Sequence, residues 1–265
     1  MPSQGTSTFD LFALRFRFRA RTPVRFPPGE TANLFRGQFG KILYRRDPAI
    51  YARLFAPVAQ GGPSGLHDPP RPFVLRVRHL DGAVLDDFHA GINLFETNRP
   101  DTGGIRSAIA ELAQESLRAE LTGVDGEEIR RLPFATTRRV DRVRVHFLSP
   151  TELKNAGSPE FGPLFARIRD RISTLREFYG SGPLEIDFKA MGERAAAIRM
   201  TCCELQHVDA ERVSQGRRHP LGGFTGVAEY EGDLTEFIPY LEIASYTGVG
   251  RQTVWGKGEI AIETF

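Results

Sequence analysis

The residues best suited to chemistry gather near the C-terminal end of the chain. Residues 246–260 read YTGVGRQTVWGKGEI, with Gly248, Gly250, Gly256 and Gly258 bracketing the cations Arg251 and Lys257. Glycine has no Cβ, so backbone there can approach a polyanion closely, its N–H groups can face phosphate oxygens, and the two cations neutralise charge. A tight helix-to-strand turn would account for one of the two glycine pairs and leave the other. The loop follows a helical pattern and leads into a strand, the reverse of the strand-then-helix order of dinucleotide and P-loop sites, so a nucleotide-cofactor reading fails on context. Upstream, Arg217, Arg218 and His219 stand directly before the glycine-led run GGFTGVAEYEG.

Two strands present cations in a row. Leu14–Arg19 and Arg142–Phe147 both alternate apolar with basic residues, the pattern of a strand with one buried and one exposed face. In the first, Arg15, Arg17 and Arg19 belong to an eleven-residue stretch with five arginines and no acid. That stretch suits contact with phosphates, whereas a merely solvated sheet face usually mixes in acids.

The elements that position these residues follow from periodicity. Leu34, Phe35, Phe39, Ile42 and Leu43 share a helical face thinned by Gly37 and Gly40; Ile105, Ile109, Leu112 and Ser116 mark a second helix entered from Gly103–Gly104. Leu164 to Tyr179 is a long helical stripe closed by Gly180. Asp233 with Glu236 reads as a capping box for a helix through Leu241, which Pro239 should bend. Strands are expected at Phe73–His79, Val84–Leu94, Ala195–Cys202, Phe224–Tyr230 and Val254–Ile262, with a poorly defined one near Ile129–Phe134. Pro57–Pro72 is a Pro- and Gly-rich loop. Each half then reads strand, helix, strand, strand, helix, strand, the split βαβ order. The fold class is α+β, two tandem ferredoxin-like (RRM-like) domains over residues 1–138 and 139–265.

Composition excludes more than it proposes. Lys+Arg 35 against Asp+Glu 33 leaves a net charge of +2, but 31 of the basic residues are arginine. That bias suits planar recognition of phosphate, and a GC-rich genome produces it equally well. No apolar run is long enough to span a membrane, and the first ten residues lack a signal-peptide pattern. The only cysteines, Cys202 and Cys203, are adjacent, and the six histidines show no paired ligand spacing. Neither a disulfide framework nor a protein-bound metal is expected, and no cofactor. A cytoplasmic location is the expectation.

GGFTGVAEYEG, the helix after Asp233 and YTGVGRQTVWGKGEI together resemble the CRISPR-associated precursor-crRNA endoribonucleases of the RAMP superfamily. Leu34–Gly40 (LFRGQFG), Tyr51–Phe55 (YARLF) and Pro70–Arg76 (PRPFVLR) extend the resemblance over nearly the whole chain. It implies tandem ferredoxin-like domains and an enzyme that cuts CRISPR repeat RNA into guide RNAs without metal, by attack of a ribose 2′-hydroxyl on the adjacent phosphate. The RNA contacts expected from the residues themselves are Arg15, Arg17, Arg19, Arg217, Arg218, His219 and the C-terminal loop. The partners the resemblance implies are the repeat RNA and other CRISPR effector subunits, with a homodimer left open.

Many relatives carry a histidine just after the first helix, where this chain has Phe55, which cannot move a proton. Candidates for that role are His67 in the following loop, as the acid–base group; Lys41 on the thinned helix, as a charge stabiliser; and Tyr44. His79 and His89 flank Asp81-Gly82 and read as hairpin residues, and His146 lies on the second basic strand. The Phe55 departure keeps a second reading open, a non-catalytic RAMP-type RNA-binding subunit of an effector complex.

Overall fold

The computed structural model describes residues 8–58, 69–153, 158–208 and 222–265, with 211–214 and 217–220 described as backbone. The first half runs β1 (Thr8–Arg25), α1 (Thr31–Arg46), α2 (Pro48–Phe55), β2 (Phe73–Arg76), β3 (Val84–Leu94), α3 (Thr102–Leu112), β4 (Ala119–Asp125) and β5 (Ile129–Pro133). The second runs β6 (Arg142–Thr151), α4 (Phe161–Tyr179), α5 (Phe188–Ala196), β7 (Arg199–Val208), β8 (Glu211–Ser214), β9 (Arg217–Pro220), β10 (Gly223–Glu231), α6 (Ile238–Thr247) and β11 (Ile260–Thr264). Sheet orders β2-β3-β1-β4 and β11-β6-β10-β7 are the same antiparallel arrangement built twice, and β8-β9 is a separate hairpin. The tandem ferredoxin-like α+β fold read from the sequence is what the chain adopts.

Period-two patterning explains β1. Leu14, Phe16 and Phe18 enter the first core while Arg15, Arg17 and Arg19 stay exposed. Toward its start, Phe9 and Leu11 are buried in the core of the second half, together with Val74 and Phe95. One strand thus changes from interdomain contact to open basic surface along its length. In α1, Phe35, Phe39, Ile42 and Leu43 are buried as the periodicity requires. Gly40 leaves room for α2, since a Cβ there would sit 3.0 Å from the Phe55 ring.

Several expected elements shift, each for a local reason. The closing strand of the first sheet is β4; Ile129–Pro133 is an additional strand along the first residues of β1. The strand expected to reach His79 stops at Arg76 and gives way to a 3₁₀ turn at Arg78–Leu80. Ser116 is exposed in a π-helical turn after α3. Ala195 lies in the last turn of the unanticipated helix α5, which delays β7 to Arg199. Residues 253–255 form a 3₁₀ turn and β11 starts only at Ile260. Pro239 lies in the first turn of α6, where its missing N–H costs nothing, so it bends nothing. The expected capping box does not form: Phe237 is the cap residue, and Glu236 is held by Arg194 at 2.5 and 2.7 Å.

The halves are joined where α6 ends. Arg76 from β2 donates to the carbonyls of Ser245 (2.7 Å) and Tyr246 (2.9 Å), and Asn93 from β3 donates to Tyr246 as well (2.9 Å). Arg171 from α4 donates to Thr247 at 3.0 Å. These are last-turn carbonyls that the helix cannot satisfy itself, at the negative end of its dipole. Burial pushes both guanidinium groups down, Arg171 to about 10, still far enough above neutrality to remain charged. Replacing Arg171 by Met should lower the unfolding free energy in urea by about 1–3 kcal/mol, the cost of leaving a buried carbonyl unpaired; unchanged stability would show that Thr247 finds another donor.

Candidate nucleic-acid interface

Lys41 and Tyr44 come together. Both are exposed on α1, and with Arg36, Gly37, Gly40, Tyr51 and Phe55 they line a groove of about 380 Å³ between α1 and α2. Its floor is aromatic: the Tyr51 and Phe55 rings are stacked with centres 5.4 Å apart, and Tyr44 meets Tyr51 edge-on at 5.1 Å. Phe55 is buried against Phe39 and Phe73, a core position with no protonic function. His67 lies outside the described residues.

The C-terminal loop docks onto the first turns of the same helix. Asp81, in the β2–β3 connection, accepts from the Thr31 amide at 3.2 Å and so caps α1 from outside. One turn on, the Arg36 guanidinium lies 3.6 Å from the Trp255 ring centre and 5.3 Å from that of Phe55. Stacking of a guanidinium between aromatic faces combines dispersion with attraction to the ring quadrupoles, worth about 1 kcal/mol or more when partly desolvated. Sequence reading missed this coupling, because Arg36 and Trp255 are far apart in the chain and neither belongs to a spacing pattern.

All four loop glycines have positive φ, between 67° and 80°, so backbone conformation explains both pairs, where one had been expected from turn geometry. At Gly258 a Cβ would collide with the Val249 carbonyl, and at Gly250 with that of Glu152. The amides are also spoken for in part. Val249 donates to Gly258, Gly256 to Thr253 and Gly258 to Pro150, so these N–H groups face chain carbonyls and are not left for phosphate oxygens. Arg251 is anchored to Glu152 at 2.8 Å. Lys257 is half-buried, and burial holds its ammonium below the usual lysine range, partly offset by Asp81.

The basic strands differ from one another. On β1, Arg17 pairs with Asp125 of β4 (2.9 Å) and Arg19 with Asp87 of β3 (3.0 Å), acids supplied by neighbouring strands and invisible in the β1 stretch alone. Arg15 is in no ion pair among the described residues and lines a cleft between the halves. On β6 the cations are compensated. Arg142 and Arg144 converge on the buried carboxylate of Glu229, holding it below the usual range, and His146 meets Glu263 at 3.2 Å. The expectation of a bare basic face there is corrected by acids on β10 and β11. Arg217, Arg218 and His219 fall in β9, whose side chains are outside the described residues. His79 and His89, read as hairpin residues, stack with ring centres 4.2 Å apart in the same cleft as Arg15. Among the described residues no group of three His, Cys, Asp or Glu could hold a metal ion, and no helix is long and apolar enough to cross a membrane.

Comparison with known proteins now bears on this geometry. The family model of CRISPR-associated endoribonuclease Cas6 matches residues 145–260, a span that includes β10, α6 and the glycine loop, so the resemblance read from the sequence is borne out. No curated protein matches the chain. Among solved structures, a Cas6 (TTHB231) product complex aligns over 96% of this chain and 100% of its own at 18% identity and TM-score 0.60. Thermus thermophilus Cas6 (TTHB231) aligns over 98% and 100% at 15% identity and TM-score 0.58. A RAMP protein binding different RNA substrates aligns over 95% and 99% at 14% identity and TM-score 0.51. At these identities the likeness is one of fold, over essentially full length.

The half-buried Lys257 gives a test of the loop's electrostatics. Its folded pKa is lowered, so the charged form costs stability at neutral pH, and that cost fades as pH rises through the lowered value toward the ordinary one. Lys257→Met should therefore raise the urea midpoint at pH 7, with the gain shrinking as pH approaches the lysine range. A lower midpoint at pH 7 would mean that the ammonium is stabilising where it lies.

Proposed function

We propose that this protein is a metal-independent endoribonuclease that binds CRISPR repeat RNA and cuts the precursor transcript into guide RNAs by 2′-hydroxyl attack. The observation that carries the reading is the docking of the Cas6-matched glycine loop onto α1, beside the groove that holds Lys41 and Tyr44. In this reading the halves 1–138 and 139–265 act as two RNA-contacting units in the cytoplasm, and other CRISPR effector subunits are the protein partners.

Cleavage by this route needs a proton removed from the 2′-oxygen, another delivered to the departing 5′-oxygen, and cations around the phosphorane. Lys41 supplies positive charge from an exposed helix position, and its nearness to Tyr44 on one helix face puts a hydroxyl donor beside it. Tyr44 and Tyr51 offer ring faces for a base next to the reacting phosphate. His67, twelve residues after the end of α2 in the sequence, is the acid–base candidate. Arg15, Arg17, Arg19, Arg217, Arg218, His219, Arg251 and Lys257 are the proposed RNA contacts, with Gly248, Gly250, Gly256 and Gly258 shaping the loop that presents two of them.

A second reading, an RNA-binding subunit without catalysis, is favoured by one feature: among the described residues the groove includes no histidine, and Phe55 is buried. Variants separate the two. His67→Ala should slow single-turnover cleavage roughly 10²–10⁴-fold and remove a near-neutral pKa from the rate profile. Lys41→Ala should slow it while keeping that pKa, and Tyr44→Phe tests the hydroxyl. Wild-type rates in all three would move the cutting site elsewhere, and a wild type that binds but never cuts its repeat RNA would establish the subunit reading.

Binding is tested by salt. A cation that neutralises one RNA phosphate adds somewhat under one unit to the slope of log affinity against log salt. Arg251→Ala with Lys257→Ala should therefore flatten that slope by up to about 1.4 units, the value for two phosphates on a single strand. An unchanged slope in the folded double variant would leave the loop a turn and nothing more.

A further inference from the structure

The cleft between the halves holds a second constellation that the groove on α1 does not use. It has a volume of about 580 Å³ and is lined by Arg15, Arg76, Arg130, His79 and His89, with Tyr246 behind them. The two imidazoles are stacked at 4.2 Å and 20°, and the His79 ring Nε2 is 2.9 Å from the His89 carbonyl oxygen. Arg130 lies over the Tyr246 ring at 4.9 Å, which fixes its guanidinium at the cleft wall. Arg76 spends Nη2 on α6, while its Nη1 is buried with no hydrogen-bond partner. A buried donor left unpaired is costly, and one on a cation calls for an anion.

The charges facing the pair come from every neighbouring element: Arg15 and Arg17 on β1, Arg76 on β2, Asp125 on β4, Arg130 on β5 and Glu259 just before β11. Asp125 is engaged by Arg17 at 2.9 Å, and Glu259 is shared between Arg78, at 3.7 Å, and Arg76, whose burial it partly offsets. What remains is three cations, Arg76 among them partly offset by Glu259, and two titratable rings around one cavity.

We infer that this cleft is an oxyanion site that takes a phosphate group between Arg15, Arg76 and Arg130 and draws a proton onto the His79–His89 pair as it binds. With the cleft empty, burial, the neighbouring His79 and Arg15 all push His89 below the usual histidine range. An anion reverses the local field, so binding and protonation favour each other, and affinity rises as pH falls. The inference stands on the geometry of the cleft and does not depend on where, or whether, the chain cuts RNA. The phosphate could come from an RNA backbone or from a free anion; the shared chemistry is the tetrahedral oxyanion.

The test follows the imidazole resonances of the full chain by NMR, assigned with His79→Gln and His89→Gln, with two probes: a decamer of oligouridylate and inorganic phosphate. Both resonances should titrate at higher pH when a saturating probe is present. Affinity should rise up to about tenfold per pH unit below neutrality, the value for one proton taken up per anion, and His89→Gln should flatten that dependence in a protein that still folds. A response to the decamer alone assigns the site to an RNA strand, and a response to both probes assigns it to oxyanions generally. If neither probe moves either resonance at pH 6, or if both Gln variants keep the wild-type pH slope, the inference is wrong.

Discussion

The C-terminal turn of α6 is the point on which the rest of the molecule depends. Its carbonyls are bonded by Arg76 and Asn93 from the first half and by Arg171 from the second, so one helix end ties the two sheets together. Guanidinium groups serve here because each offers several donors in a plane and stays charged even when burial lowers its pKa. From this fixed point the chain leaves at Gly248, so the loop that follows starts from a rigid platform.

The loop's own shape is then determined by backbone rather than by free amides. Its glycines occupy conformations and contacts that a Cβ would block, and several of its N–H groups close onto carbonyls of the loop and of β6. What it offers a polyanion is therefore side-chain charge, from Arg251 and Lys257, together with Trp255 clasped to Arg36. That clasp places the loop against the first turns of α1, and α1 carries Lys41 and Tyr44 further along. The site is in effect assembled by two helix ends: one that launches the loop and one that receives it.

Repeated patterning made the architecture legible from sequence. Two alternating basic strands, two amphipathic helices per half and glycine-marked turns were enough for the tandem fold. Short elements escaped: β4 carries Gly123 within its alternation, and α5 is only nine residues long. The site was legible only where its residues are local. Lys41 and Tyr44 share one helix, so their spacing predicts a common face. Arg36 with Trp255, the acids that neutralise Arg142 and Arg144, and the His79–His89 stack depend on strand register and domain packing, which no local spacing encodes. The basic stripe on β1 is the instructive case, since its missing acids, Asp87 and Asp125, were present all along on the flanking strands.

The central claim is that the chain cuts RNA through the substrate's own 2′-hydroxyl. The most direct measurement incubates the protein with its repeat RNA in EDTA, maps the product ends, and repeats the reaction with a single 2′-deoxy nucleotide immediately before the cut. The account predicts cleavage in EDTA with a 2′,3′-cyclic phosphate on one product and a 5′-hydroxyl on the other, and no cleavage of the deoxy substrate. Cutting of the deoxy substrate at the same position, or loss of cutting on chelation, would contradict it.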